Sequence, residues 1–303
     1  MQTYRVSATG HSLNYLPEYI GSALGYFADE GILIESTVPS PWDRVLDDLE
    51  SGTAHAALGG IWVPSMYRGH GRELAPFAQA SARAPLALIG REQATDFSWE
   101  RVAGRHFLAP GGNGASVALY LEMVLEEKGL DRWDIRMTQN LSGSMLIDLF
   151  VGGMGDYLIV DELSARHLQA THADLWVVES FGRDGGRIPW SIYYGAESRR
   201  EELQPLHRAF ASGLERSRVW LNQAPIEEIR RIVGLEFAGR DPEILVGLVD
   251  DFRQWNMWDS ITIDRPGFDR WQAGLVTGGL LPKAVDYGTL VDRSLTEEGA
   301  VRP

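Results

Sequence analysis

The chain has no cysteine. That excludes disulfides, thiolate nucleophiles, zinc ribbons and cysteine-ligated iron–sulfur clusters together. It does not fix the compartment, because cysteine-free chains occur in oxidising and reducing places alike. Positive charge is also scarce. Against 42 Asp and Glu stand 28 Lys and Arg, a net charge of −14. Nucleic acid needs a basic footprint, so it is set aside as a partner. The acidity reads as solubility. No run of about 18 apolar residues occurs, so no membrane insertion is expected. Met1-Gln-Thr-Tyr-Arg-Val-Ser-Ala-Thr9 has neither a basic n-region nor a long apolar h-region, and so is not a secretory leader. As it stands the chain reads as cytoplasmic, or as periplasmic or cell-surface if a leader is removed.

What is present is ordinary globular material. The 303 residues carry a prior of about two domains. Apolar residues make up 44% and charged residues 23%, which excludes disordered and collagen-like chains. Glycine is plentiful at 33, pointing to tight turns or close backbone–ligand approaches.

Tyr4–Ala8 alternates with period two and predicts a strand. The loop Gly10-His-Ser-Leu-Asn14 follows. Tyr15–Ala28 predicts a helix with Pro17 in its first turn, where a missing N–H is harmless, and Gly31 beyond its end. Strand 32–38 stops at Pro39-Ser-Pro41. A helix from Trp42 closes at Gly52, and the strand His55–Leu58 runs into Gly59-Gly60. Two more strands lie near Ala75–Ala80 and Leu86–Arg91. This βαβαβ order predicts a parallel sheet. The pattern restarts with strand His106–Ala109, loop Pro110–Gly114, helix Ala115–Lys128, strand Ile135–Thr138, helix Met145–Phe150 and strand Tyr157–Val160. Beyond Ser198 the chain reads as mostly helical.

Two stretches overlay. Leu49-Glu-Ser-Gly52 leads to His55–Leu58 and then to Gly59-Gly60. Leu149-Phe-Val-Gly152 leads to Tyr157–Val160 and then to Asp161-Glu162. Two lobes built alike are expected, rather than a solenoid, which would need more copies.

These residues carry a resemblance. Leu24-Gly-Tyr-Phe-Ala-Asp-Glu-Gly-Ile-Leu-Ile-Glu35 resembles the GYF-x-x-EGLxVE stretch of ABC-type substrate-binding proteins for nitrate, sulfonates, taurine and thiamine pyrimidine precursors. Leu49–Gly60 is similar to that family's ALASGEADxGxGG stretch, and Gly278–Asp286 to its GLIPKPVD ending. Gly111–Ser116 falls where the family places a ligand-contacting helix start. The resemblance implies an α/β, two-lobed, type II periplasmic-binding-protein-like fold, each lobe a mainly parallel sheet flanked by helices. Residues 1–90 plus 191–303 would form lobe 1 and residues 91–190 lobe 2, with a cleft between them.

There are departures. The family's secretory leader is absent, and His55 replaces an acidic residue common in that motif. The fold also hosts soluble enzymes, among them a pyrimidine synthase, an aryl sulfinate desulfinase, and decarboxylases or dehydratases of aromatic acids. The desulfinase uses a cysteine just before its first helix. By spacing from Gly25, Ser12 falls near that place here, and serine is a far poorer nucleophile unless a base activates it. The synthase's cysteine-rich stretch cannot exist in this chain. Both activities are therefore set aside.

Open α/β sheets place ligands at the carboxyl ends of strands. His11, Ser12 and Asn14 follow the first strand and can donate or accept hydrogen bonds; Ser12 and Asn14 equally suit helix caps. His11 is the preferred candidate of the three, since histidine as a residue type can both give and take a proton. Trp42 either walls an apolar or aromatic ligand or staples the lobe core. Gly59, Gly60 and Trp62 offer backbone N–H groups to an anion, or simply a tight turn. Gly112, Asn113, Gly114, Ala115 and Ser116 are the strongest anion-site candidates. Val117 replaces the third glycine of a dinucleotide fingerprint, no Walker lysine follows, and the loop from Pro110 spoils a nucleophile elbow. Asp161 and Glu162 either orient a donor-bearing ligand or start a helix. Arg83 and the stretch Arg187–Trp190 lie near the expected crossovers, where an arginine pairs with a ligand carboxylate or sulfonate, or makes a hinge salt bridge. No HExxH or EF-hand spacing occurs, so no metal is expected, and no cofactor.

The leading expectation is capture of a small organic anion of sulfonate, pyrimidine or aromatic-acid type, with an ABC permease as partner. The alternative is a cytoplasmic decarboxylase or other lyase of a small aromatic acid. There His11 would be the acid/base, with Ser12 and His55 beside it.

Overall fold

The structure is a computed structural model that describes residues 1–111, 114–139 and 141–296. The chain divides into two compact units. The first gathers Met1–Arg83, Arg187–Gln272 and the chain from Lys283 onward; the second gathers Ala84–Gly186 and Ala273–Pro282.

The strands are β1 Gln2–Ala8, β2 Ile32–Thr37, β3 Ala56–Gly59, β4 Leu74–Ser81, β5 Leu86–Gly90, β6 His106–Leu108, β7 Arg136–Thr138, β8 Tyr157–Asp161, β9 Trp176–Ser180 and β10 Ser191–Ala196. In the first unit they form a five-stranded sheet in the order β2-β1-β3-β10-β4. β1 runs parallel to β2 and β3, whereas β10 is antiparallel to β3 and β4. Tyr4, Val6 and Ala8 alternate into a core completed by Phe27, Phe77, Tyr193, Phe210 and Leu214. Period-two alternation put these β1 residues on one face, and burial of that face holds the register.

The expected helix Tyr15–Ala28 is broken. A short turn Leu13–Tyr15 leads into helix Leu16–Leu24, and Tyr26–Asp29 follows as a separate turn. Gly25 sits between them at φ 78°, a left-handed cap that residues with a side chain adopt poorly.

The second sheet has the order β7-β6-β8-β5-β9. β6 is parallel to β7 and β8, and β5 is antiparallel to β8 and β9. Its core includes Ala87, Ile89, Leu108, Leu146, Phe150 and Leu158. Position for position, the second sheet repeats the first. β3 and β8, the strands of the two overlaid stretches, hold the same place. The weak internal repeat is therefore structural.

Each sheet is mainly parallel, as expected, and is mixed through one reversed strand: β10 between β3 and β4, and β5 between β8 and β9. One expectation needs correcting. β5, read as the last strand of the first lobe, instead completes the second sheet by pairing with β8 and β9. Local sequence shows a strand but not its partner, and both antiparallel strands pair with strands distant in the chain.

Helices dominate the last third. Arg200–Gln223, Ile226–Glu236, Pro242–Gln254 and Arg265–Thr277 carry it. Asp241 caps the third of these, accepting from the amides of Glu243 at 2.8 Å and Ile244 at 3.3 Å.

Candidate functional site

In the first unit the carboxyl ends of β1, β3 and β4 and the amino end of β10 lie together, as the pairing register requires. A hydrogen-bonded network of small polar side chains occupies this edge. Asn14 is 2% exposed, and its amide donates to Ser81 Oγ at 3.1 Å and Ser191 Oγ at 3.0 Å. Ser12 Oγ donates to Asn14 Oδ1 at 2.5 Å. The backbone carbonyl of Asn14 accepts from Trp258 Nε1 at 2.9 Å. The Tyr15 phenol hydrogen-bonds the side chains of Thr9 and Ser191, and burial pushes its pKa up. Buried polar groups persist when they are paired in this way, and such a network holds its members in one geometry.

Ser12 is the residue before the short turn, yet its side chain makes no cap hydrogen bond. An amide oxygen is its partner, and an amide is not a base, so nothing here activates the hydroxyl as a nucleophile. His11 turns elsewhere. Its Nε2 lies 2.9 Å from Glu236 Oε1, and its ring packs on Tyr19 at 5.1 Å and Phe237 at 4.6 Å.

Above this edge stand two indoles. Trp42, half-buried after β2, meets Trp62 at 5.8 Å between ring centroids with planes tilted by 58°. Trp62 is 7% exposed and its ring lies against the α-carbon of Gly60, leaving no room for a side chain there. At Gly59 a Cβ would come within 2.9 Å of Thr9 Cγ2. The two glycines thus let indole and threonine close on the backbone. Gly10, by contrast, faces open space within 4 Å.

His55 does not join this group. Its Nδ1 accepts from the Arg5 amide at 2.8 Å, and its ring stacks on Tyr4 at 5.4 Å. It lines a cavity of about 440 Å³ with Gln2, Gly31, Arg199 and Glu202, at the amino ends of β1 and β2. Burial, then Arg199 and Arg5, hold its pKa below the usual histidine range. The expected grouping with His11 and Ser12 fails because β3 begins after His55, so the residue enters the strand rather than leaving it.

The crossover residues are engaged with the first unit. Arg187 pairs with Asp259 Oδ2 and lies 3.4 Å from Asp264 Oδ1, and its carbonyl accepts from Arg270 Nη1 at 3.2 Å. The salt-bridge alternative describes it. Trp190 lies 6.4 Å from the Trp271 ring, and its amide donates to Ser81 O at 3.1 Å. Arg83 is half-buried and ends the first segment of this unit.

In the second unit Gly114 has φ 93°, and helix Ser116–Glu127 starts after Ala115. Gly112 and Asn113 lie outside the described residues. Ser116 comes well after the end of β6, as the loop at Pro110 implied. Asp161 caps helix Glu162–Thr171, its carboxylate accepting from the Ser164 amide at 2.9 Å. Glu162 is 1% exposed, with Arg166 Nε at 3.8 Å from Oε2. Among the described residues no group of three or more His, Cys, Asp or Glu is placed to hold a metal. No described helix is long and apolar enough to cross a membrane.

Thr9, Tyr15, Ser81, Ser191, Tyr194 and Trp258 at or around this edge escaped sequence reasoning. Only pairing across β1, β3, β10 and β4 unites them.

Residues 12–228 match the family model described as NMT1/THI5 like. The chain is 22% identical to YtlA of Bacillus subtilis over 298 residues, covering 97% of this chain and 89% of that protein. Three solved structures share its fold. A ligand binding component of an ABC-type import system from Staphylococcus aureus matches with a TM-score of 0.73 at 14% identity, over 98% of this chain and 99% of that one. The periplasmic aliphatic sulphonate binding protein SsuA from Escherichia coli matches at 0.74 and 15% identity, over 100% and 96%. The desulfurization enzyme DSZB matches at 0.67 and 14% identity, over 97% of each chain. At these identities the likenesses establish the two-lobed periplasmic-binding-like fold.

Proposed function

Because this chain belongs to the NMT1/THI5-like family, we propose that it is the substrate-binding protein of an ABC-type uptake system, capturing a small organic anion of sulfonate, pyrimidine or aromatic-acid type. The observation that carries this reading is the edge at the strand ends. Trp42 and Trp62 form an apolar wall beside a paired polar network built on Asn14. Such a surface suits a molecule with one flat or apolar side and one hydrogen-bonding head. Backbone amides around Gly59 and Gly60 are the proposed donors to the anion. Arg83, His11 and Trp190 remain candidates for further contacts. The import component from S. aureus and the sulfonate binder from E. coli support the class of activity. The reading carries an ABC permease as partner and a periplasmic or cell-surface setting with it.

DSZB shows that this fold also serves an enzyme. Here Ser12 donates to an amide and His11 Nε2 faces Glu236, so the two do not form a nucleophile–base pair. Binding without turnover is the better account of these contacts.

A thermal-shift screen against sulfonates, pyrimidines and aromatic acids at millimolar concentration tests the proposal. A ligand present at about 100 times its Kd adds about 2.7 kcal/mol to stability, a melting shift of several degrees for a chain of this size. No shift with any of the three classes would overturn it.

A further inference from the structure

Tyr194 lies on β10 opposite Ala57, two pairs along from Ile192 opposite Gly59. Directly opposed residues share a face, and so do residues two apart, so Tyr194 and Gly59 sit on the same side of the sheet. The ring leans toward the strand ends. Its hydroxyl lies 3.5 Å from the point a Cβ on Gly59 would occupy, and Thr9 Oγ1 lies 3.6 Å from that same point. Phenol and threonine thus converge on Gly59, at the carboxyl ends of β1 and β3.

Tyr194 is 0% exposed, and its hydroxyl makes no hydrogen bond among the described residues. The neighbouring polar groups behave otherwise. Thr9 and Ser191 hydrogen-bond Tyr15, and Asn14 bonds Ser81 and Ser191. A buried donor left unpaired destabilises a fold, and phenylalanine would fill the same space without that cost. The hydroxyl therefore has no role in holding the sheet together.

We propose that Tyr194 is a ligand-contacting residue whose O–H donates to an acceptor oxygen of the bound organic anion, seated over Gly59 and Thr9. This rests on the binding-protein reading above. A neutral phenol is a strong donor to a sulfonate or carboxylate oxygen. Burial keeps this phenol protonated. In the proposed bound state Thr9, half-buried beside Gly59, takes another staggered rotamer to admit the anion oxygen.

The test titrates wild type and Tyr194→Phe calorimetrically with benzenesulfonate, butanesulfonate and benzoate, and records both melting temperatures without added anion. The expected result is a Phe variant that melts at or above wild type while its affinity falls about tenfold for any anion that wild type binds. Tyr15→Phe serves as the structural comparator and is expected to melt lower, since it loses contacts with Thr9 and Ser191. If Tyr194→Phe binds within twofold of wild type, the proposal is overturned. It is also overturned if the variant's melting temperature falls as it does for Tyr15→Phe, which assigns the phenol to the fold. Wild type binding none of the three probes is a separate outcome, and removes the binding-protein reading together with this inference.

Discussion

The Asn14 amide donates to Ser81 and Ser191, the last residue of β4 and the first of β10. One side chain thereby ties a loop to two strand ends, 67 and 177 residues away along the chain. Asn14→Ala removes both bonds and leaves buried hydroxyls with fewer partners. The expected loss is about 2–3 kcal/mol, read as a lower urea midpoint at unchanged slope. A loss under about 0.5 kcal/mol would mean the network contributes little. The loop residues were legible as strand-end residues because small polar residues, or paired glycines, follow directly on a strand. Their partners were not, since Thr9, Ser81, Ser191 and Tyr194 acquire meaning only through strand pairing. His55 precedes β3, at the end of that strand away from Gly59 and Gly60, as the strand reading His55–Leu58 already implied.

At the scale of elements, strand and helix positions followed from periodicity to within a few residues, because burial of one face enforces it. Periodicity did not mark β9 and β10 as strands, and it missed the interruption at Gly25. Its left-handed backbone ends one helix and turns the chain into Tyr26–Asp29, with no neighbour inside 4 Å of a built Cβ. Gly25→Ala therefore costs backbone strain alone, about 1–2 kcal/mol. Gly10→Ala, also in open space but without a positive φ, is expected to be tolerated. Equal melting temperatures for the two variants would contradict this account. Sheet order was likewise out of reach. β5 and β10 each pair antiparallel with strands distant in the chain, and no local pattern encodes that choice.

For the whole molecule, two units of like topology with mainly parallel sheets were legible through the repeat that relates β3 to β8, while the one reversed strand in each sheet was not. Stability of the first unit also carries a pH signature. His207 is 4% exposed in the core, and its Nδ1 is hydrogen-bonded to the Tyr4 hydroxyl at 2.6 Å. Burial lowers its pKa to about 4. An unfolded histidine titrates near about 6.5, so protons favour the unfolded chain between these values. The contribution is complete above about pH 6.5 and is lost as pH falls toward 4, on the order of 3 kcal/mol. Glu18, whose pKa burial raises, acts in the opposite sense by favouring the protonated folded form. His207→Gln keeps a hydrogen-bonding partner for Tyr4 and removes the titration. Its melting temperature should fall less than that of wild type between pH 6.5 and 4, and an identical slope would contradict the assignment.

The central claim is that this chain binds a small organic anion and releases it unchanged. Isothermal titration with the best stabiliser from the sulfonate, pyrimidine and aromatic-acid screen, followed by mass spectrometry of the ligand recovered after prolonged incubation, addresses both halves at once. The account predicts saturable one-to-one binding and quantitative recovery of intact ligand. Binding accompanied by loss of carbon dioxide, sulfite or any other fragment would contradict it and establish an enzyme on this fold.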